Sequence, residues 1–560
     1  MTARGAMWKL GTLGMLGFFV LGVSARVSQK TLTYKGLPQD WSSQRVFFTM
    51  DSLAKHPGLI NSEPRVMLQL LRRAKSGLRP VQSLALPAIT PLPNGVGWSF
   101  LTGAGKMLIG NSPAEFTLDL ANPSCTNDYV VFTGNAVGSS TQATLIGLND
   151  LYTGPNAGAT LCGQTSPNPY FAYNTSTLTN GKIRTSPIIS LDGTKIAFVE
   201  SNSATSVLHV LKFQGNSLTS CLANGCNAKA PAVPGVGNAA SMVNVTYANA
   251  NNTRSSPWMD YANDTIYVGA NDGAIHKITG VFKGTPTAVN SGGWPVVMPN
   301  LPKNLVLPLS SPVQDPVTGN IFVGDNRGFL NSFSYVNPGP VSSLAIGASA
   351  NGLIQDSPLV DSGNGIVFAT SAFNGTGGAL VEASTSTLAQ LASVSLGLGS
   401  QVGVTPAVVL YDGYVDNAYL NGGPAAGHMY ACGTGPADTT PYLYRFPFSA
   451  GKVIQPANSV TQIVNSTTAR CSPMTEFFNA SIGVGGTDFL FWGVTDSCVG
   501  STGCVMSLSN GTAIQKTSVV GGTSAIVVDN DTSQPGTSNI YFSNESNPLN
   551  ANRVNQSNLQ

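Results

Sequence analysis

The stretch that decides the fold is Arg254–Ile278, "RSSPWMDYANDTIYVGANDGAIHKI". It opens on Ser-Ser-Pro and places an acid, Asp260, three residues after the proline. Apolar and polar residues then alternate up to a Gly-rich turn and alternate again beyond it. Period-two alternation bounded by Gly, Asn and Asp is the pattern of a β-hairpin. Aligned on the proline, the same pattern opens six units, at Pro187, Pro257, Pro312, Pro358, Pro406 and Pro473, spaced 46 to 70 residues apart. A first run follows each opening ("KIAFVES", "TIYVGAN", "NIFVGDN", "GIVFATS", "NAYLNGG", "DFLFWGV"), and a second run follows a turn ("SVLHVLKF", "GAIHKI", "GFLNSFSY", "GALVEAS", "GHMYACG", "CVMSLS"). An upstream unit, Asn127–Tyr152, reads as lacking the Ser-Pro, and a downstream one, Thr523–Asn544, ends after two strands.

Several short strands repeated at this period describe blades, each unable to bury both its faces alone and therefore stacked on its neighbours about an axis. The expected fold is all-β: a β-propeller of seven blades if the first and last units merge, of eight if they do not, with a small helical and extended N-terminal segment. The shortened last unit predicts that strands from the N-terminal side complete the final blade. A parallel β-helix is the structural rival, but its rungs are shorter and less interrupted by turns.

The repeat resembles two known kinds of propeller. "SSPWMDYANDTIYVGANDGAIHKI" looks like the repeats of quinoprotein-like (PQQ-type) propellers, and "SPIISLDGTKIAFVES" (Ser186–Ser201) resembles the WD40-like repeats of TolB-type propellers. The two cover Glu115 to about Asn544. "DWSSQRVFFT" (Asp40–Thr49) and "SCTNDYVVFTG" are similar to segments of secreted bacterial proteins. These resemblances imply the fold and leave activity open, because such propellers host enzymes, assembly factors and binding proteins alike. A quinoprotein dehydrogenase would carry a vicinal cysteine pair under its quinone; this chain has no adjacent cysteines and no C-x-x-C-H haem attachment. No cofactor is expected.

Composition narrows the function classes. Only 10% of the 560 residues are charged and the net charge is +2, which argues against nucleic-acid binding through a clustered basic face. Hydrophobic residues, at 42%, suffice for a core, and 62 glycines with 35 prolines suit short strands and many turns.

Residues 1–25 read as a signal peptide. Arg4 and Lys9 precede an apolar run, Leu10–Val23, and Val23-Ser24-Ala25 is an A-x-A-like cleavage site. The run falls short of the ~20 residues of a spanning helix, so no membrane span is expected once it is removed. The expected location is secreted, periplasmic or cell-surface. The eight cysteines fit an oxidising compartment and fall into local couples: Cys125 with Cys162, Cys221 with Cys226, Cys432 with Cys471, and Cys498 with Cys504. Proximity alone suggests this connectivity, since eight cysteines allow 105 pairings. Zinc competes, but no C-x2-C pair occurs.

Residues 26–113 form an N-terminal segment. "EPRVMLQLLRRAKSG" reads as one helix with Ser62 as its N-cap, Pro64 in its first turn and Gly77 as its stop. Arg72, Arg73 and Lys75 suit the negative end of its dipole, and a basic partner-binding face is the alternative. A Pro-rich linker or strap follows, with Pro80, Pro87, Pro91 and Pro93. The propeller is expected over 114–545, and 546–560 as a disordered Asn-rich tail.

Chemistry-bearing residues are sparse. No G-x-S-x-G, H-E-x-x-H or P-loop occurs, and metal ligands are not expected. Of the histidines His56, His209, His276 and His428, two (His209 and His276) share one position in the third strand of their units. There they read as packing or hydrogen-bonding residues, the next unit having Asn331. "DNDTSQPG" (Asp529–Gly536) lacks the spaced carboxylates of a calcium loop and reads as a turn.

One repeated feature points to a ligand. Arg184, Arg254 and Arg470 each stand three residues before a motif proline, and Asp260, Asp315, Asp361 and Glu476 three residues after one. Six residues of strand span about 20 Å, so arginines and acids should lie at opposite ends of the innermost strands. The arginines would crowd one mouth of the channel beside the hairpin turns that carry Asp272, Asp325 and Arg327. Either they pair with Asp272 and Asp325 to knit the rim, or they form a mouth for an anion or carboxylate. The acids after the proline read as turn residues bonding their own backbone.

The expected function is a secreted, non-enzymatic binding or scaffold module whose partner is an extracellular ligand or protein. The alternatives are a self-assembling structural subunit of an extracellular matrix and an enzyme acting on a glycan or small molecule.

Overall fold

The computed structural model describes residues 36–77, 96–120, 122–155, 160–215, 221–222, 225–226, 240–250, 252–299, 307–348, 352–400, 408–529 and 536–559. The expected signal peptide, the expected Pro-rich linker and most of Asp529–Gly536 lie outside them. Eight antiparallel blades stand in a ring. Eight, and not seven, is the count because the first and last units are separate blades, although the closing prediction holds as well. The last blade has Val527–Val528, Asn539–Ser543 and Leu549–Asn555 from its own unit, and takes Val96–Gly103 from the N-terminal side as its outer strand.

Leu549–Asn555 thus falls within the stretch expected to be a disordered tail. Buried Leu549, Ala551 and Val554, with buried Arg553 donating to the carbonyl oxygens of Leu151 and Thr153 in the first blade, tie it down. The Asn-rich composition conceals a strand.

The repeated opening is a zipper around the channel. The backbone N–H of Ser112 donates to Ser186 Oγ (3.0 Å), that of Ser186 to Ser256 Oγ (2.9 Å), and that of Ser256 to Ser311 Oγ (2.8 Å), linking four successive blades. The other serine of Ser-Ser-Pro works both within its blade and across the boundary. Ser255 Oγ accepts from Gly269 N–H (2.9 Å) and donates to the Ser310 carbonyl of the next blade (2.9 Å). Ser310 and Ser472 accept from Gly324 and Gly493 in the same way. A Cβ on Gly269 would stand 2.7 Å from Ser255 Oγ, while at Gly324 and Gly493 it would meet Ile354 and Thr523 of the next blade, so the first run ends on Gly in each of these units. The first blade also opens on Ser-Pro, at Ser112-Pro113, contrary to the sequence reading of that unit.

One unit departs from the expected phase. "NAYLNGG" was expected as a strand, but Asn417–Gly422 is a helix capped by Asp416, whose side chain accepts from Tyr419 N–H (2.9 Å). Strands Tyr414–Val415, His428–Thr434, Pro441–Pro447 and Ser459–Gln462 form that blade.

The N-terminal segment fills part of the channel. Leu37–Gln39 adds an innermost strand to the first blade, and Val46–Phe47 pairs in parallel with Leu359–Asp361 of the fifth. These blades face each other across an eight-membered ring, so the segment crosses the axis. Where one helix was expected there are three, Met50–Lys55, Leu59–Ser62 and Pro64–Gly77. Ser62 ends the second and does not cap the third; Glu63 Oε1 accepts from Arg65 N–H instead (3.1 Å). Val66, Met67, Leu68 and Leu70 are all buried, the pattern of a core helix.

The helix is keyed to the third blade by Arg65. Its guanidinium lies 4.1 Å from the Trp258 ring and donates to Ser42 Oγ, the Met259 carbonyl and Glu63. The partners of Arg72 and Arg73 are also internal. Arg72 donates to Gln39 and to the Val528 carbonyl, and Arg73 to the Phe48 carbonyl. Burial pulls both guanidinium pKa values down, opposed by Glu115, Glu476 and Asp529 for Arg72 and by Glu476 and Asp361 for Arg73. These acids line the far end of the innermost strands. Removing Arg65 leaves its buried partners unsatisfied, which costs about 3 kcal/mol or more. Chemical denaturation of Arg65→Ala is expected to show that loss; a change under about 0.5 kcal/mol would mean the segment is not anchored this way.

Candidate functional site

Above the plug, the channel holds a cavity of about 340 Å³. Its floor is Trp41, Gln44 and Arg45 of the N-terminal segment. Its wall is the ring of strand openings, with Ser112, Ser186, Ser256, Ser311 and Ser357 among the lining residues. Trp41 Nε1 donates to the Pro257 carbonyl (3.2 Å), and Gln44 bridges the Ile526 carbonyl and Thr475 Oγ1, fixing the floor to three blades. The channel is therefore a blind cup opening at the arginine end.

The three arginines have different fates. Arg254 is exposed, lines the cup and makes no hydrogen bond or ion pair among the described residues. Arg184 is half-buried and donates to Asn252 Oδ1; burial first, then the neighbouring charge of Arg254, pushes its pKa down. Arg470 lies outside the cup, donating to the carbonyls of Thr467 (2.9 Å) and Ala469 (2.7 Å), with Asp496 nearby.

Asp272 and Asp325 do not neutralise these arginines. Asp272 meets His276 Nε2 at 3.0 Å and accepts from Ala274 N–H (3.0 Å). Asp325 accepts from Arg327 N–H, Phe329 N–H and Asn331 Nδ2 at 2.9 to 3.1 Å. Burial raises its pKa against those bonds. Both acids serve their own hairpins, and neither they nor Arg327 line the cup.

His209 is buried between Glu200 (3.0 Å) and Asn244 (2.8 Å), the hydrogen-bonding role its strand position predicts. Asp260, Asp315 and Asp361 accept from backbone N–H groups of Asn263, Val317 and Asn364, as turn acids do. Three disulfides have the expected pairing, Cys125–Cys162, Cys432–Cys471 and Cys498–Cys504. The side chains of Cys221 and Cys226 lie outside the description, although their backbones pair as adjacent strands. Among the described residues, Cys125, Asp150 and Cys162 are grouped closely enough for a metal ion, but the two sulfurs are already bonded to each other.

Most other residues of the cup carry no signal in the repeat. Arg45 meets Asp356 through two hydrogen bonds (2.9 and 2.8 Å), and Lys106 stands 3.5 Å from Glu545. Asn111, Gln355 and Tyr411 complete its polar lining. Two of these could have been found from sequence: Ser112, as a further copy of Ser-Pro, and Gln355, three residues before Pro358 in the position that Arg254 holds in its unit.

No protein-family model matches the chain, nor does any curated protein. Solved structures match at low identity. BamB of Moraxella catarrhalis is 11% identical, with 82% of this chain and 97% of that one covered and a TM-score of 0.40. Sqt1 of Chaetomium thermophilum bound to the N-terminus of ribosomal protein L10 is 12% identical, with 83% and 98% covered and a TM-score of 0.42. The periplasmic gluconolactonase PpgL of Pseudomonas aeruginosa is 12% identical, with 71% and 98% covered and a TM-score of 0.41. Likeness at this level carries no argument about function.

Burial raises several carboxyls of the ring. Asp361 and Asp488 are pushed up to about 6, and Asp128, Glu382, Asp412 and Glu545 to about 7. Their folded pKa values exceed the unfolded ones near 4, so the folded chain holds protons that the unfolded chain releases. Their stabilisation is complete below about pH 4 and is lost as pH rises through 6 to 7. Glu200 runs the other way: burial would raise it, but bonds from His209 and Thr177 outweigh that and lower it. The balance predicts a melting temperature that falls between pH 5 and pH 8, with a shallower slope in Glu382→Gln. A melting temperature rising over that interval would contradict it.

Proposed function

We propose that the chain is a non-enzymatic binding module working outside the cytoplasm, and that its ligand sits in the cup at the arginine end of the channel. Three disulfides suit a location outside the cytoplasm. No helix among the described residues is long and apolar enough to cross a membrane. The lining of the cup holds neither histidine nor cysteine, and its acids Asp356 and Glu545 each face a cation.

The observation that carries the reading is Arg254. Its charge has no acid partner, a second guanidinium stands close by, and it lines a cavity closed at the bottom. Like charges kept together without a counter-charge favour binding of an anion, and a guanidinium fork suits a carboxylate.

Thermal-shift titration with an anion panel tests this. At least one anion is expected to raise the melting temperature saturably, and Arg254→Ala should abolish the shift while leaving the ligand-free melting temperature unchanged. A panel without effect, or a shift surviving in Arg254→Ala, would overturn the reading.

A further inference from the structure

Beyond the charge of Arg254, the cup has an unusual complement of unused polar groups. Ser112 Oγ is buried, lines the cavity and has no hydrogen-bond partner. Glu545 Oε1 is likewise buried and unpartnered, while its other oxygen faces Lys106. The side chains of Asn111, Gln355 and Tyr411 line the same space and make no hydrogen bond among the described residues. Elsewhere around the channel the equivalent groups are used: Ser186, Ser256 and Ser311 each accept a backbone N–H. Buried polar groups without partners cost about 1–3 kcal/mol each, so Ser112 Oγ and Glu545 Oε1, with three further unused polar heads beside them, mark a place where something polar completes them.

From this constellation we infer that the ligand of the cup is a small polyhydroxylated monocarboxylate, of the size and class of a six-carbon sugar acid. The inference rests on the binding reading above and specifies it. Charge sets the ionic part. Arg45 faces Asp356 and Lys106 faces Glu545, which leaves Arg254 as the charge of the lining without an acid partner. The one unpartnered guanidinium of the lining matches one carboxylate. The neutral part follows from the hydroxyl, phenol and amide heads of Ser112, Tyr411, Asn111 and Gln355, which both donate and accept, as ligand hydroxyls require. Volume sets the size. The cavity of about 340 Å³ equals about eleven waters at ~30 Å³ each, near the lower bound for small-ligand pockets. The closed floor excludes a peptide threading through.

Isothermal titration of the full mature chain with D-glucuronate, D-glucose, acetate and inorganic phosphate tests the class. D-Glucuronate is expected to bind at least tenfold more tightly than each of the other three. Arg254→Ala should abolish binding, and Ser112→Ala and Glu545→Gln should each weaken D-glucuronate about fivefold while leaving acetate unchanged. Ser112→Ala deletes only an unpartnered hydroxyl and keeps the backbone bond to Ser186, so it is not expected to perturb folding. Phosphate or acetate matching D-glucuronate, or both variants binding it like the parent chain, overturns this inference and leaves the binding reading standing. If none of the four probes binds, the sugar-acid inference falls, and the broader anion panel decides the binding reading separately.

Discussion

The structure depends on a hydrogen bond made repeatedly across a blade boundary: a backbone N–H at the start of one innermost strand donating to the serine hydroxyl at the start of the next. Ser112, Ser186, Ser256 and Ser311 form an unbroken run of it. The bond sets how closely neighbouring innermost strands approach, and therefore the bore of the channel. That bore decides the rest. It is wide enough for a helix and two short strands of the N-terminal segment, and what they leave free is the cup. On the far side of the ring the same spacing is kept by other groups, as where Asp412 N–H donates to Asp356 Oδ2 (2.9 Å). The last blade meets the first through Ala525 N–H and the Asn111 carbonyl (2.9 Å).

The two ends of the channel are chemically different because the innermost strands all point the same way. One end gathers the acids that follow the motif prolines, and the N-terminal helix brings Arg65, Arg72 and Arg73 to the channel wall there. The other end gathers the residues before the prolines and receives only the short Trp41–Arg45 turn as a floor. A single N-terminal segment therefore closes one end and shapes the other. Arg254 can remain without a partner because the fold does not use it.

The repeat was legible because its residues answer to local geometry. Ser255, Pro257, Asp260 and Gly269 act within their own blade or on the adjacent one, so alignment of the units exposes them. What stayed hidden depends on distant partners. Arg72 and Arg73 read as surface residues at a helix end, because the acids that oppose them lie in blades far along the chain. Ser112-Pro113 leads directly into Ala114–Thr117, but a loop carrying the disulfide cysteine Cys125 separates that strand from Tyr129–Thr133, which masked a seventh Ser/Thr-Pro opening. "NAYLNGG" read as a strand by its place in the repeat, whereas Asp416 caps it as a helix. In the closing strand, Asn550, Asn552 and Asn555 disguise the alternation of Leu549, Ala551 and Arg553. The cup was half legible: one arginine of three belongs to it, Ser112 and Gln355 hold repeat positions, and Asn111 and Tyr411 obey no repeat.

The central claim is that the N-terminal segment is built into the channel and makes the cup blind. Hydrogen exchange across Pro64–Gly77, followed by mass spectrometry on the native protein, tests this most directly. The account predicts protection of the helix amides comparable to that of the innermost strands Trp258–Asp260 and Thr475–Asn479. Exchange of the helix at the rate of an unstructured peptide, with those strands still protected, would contradict it.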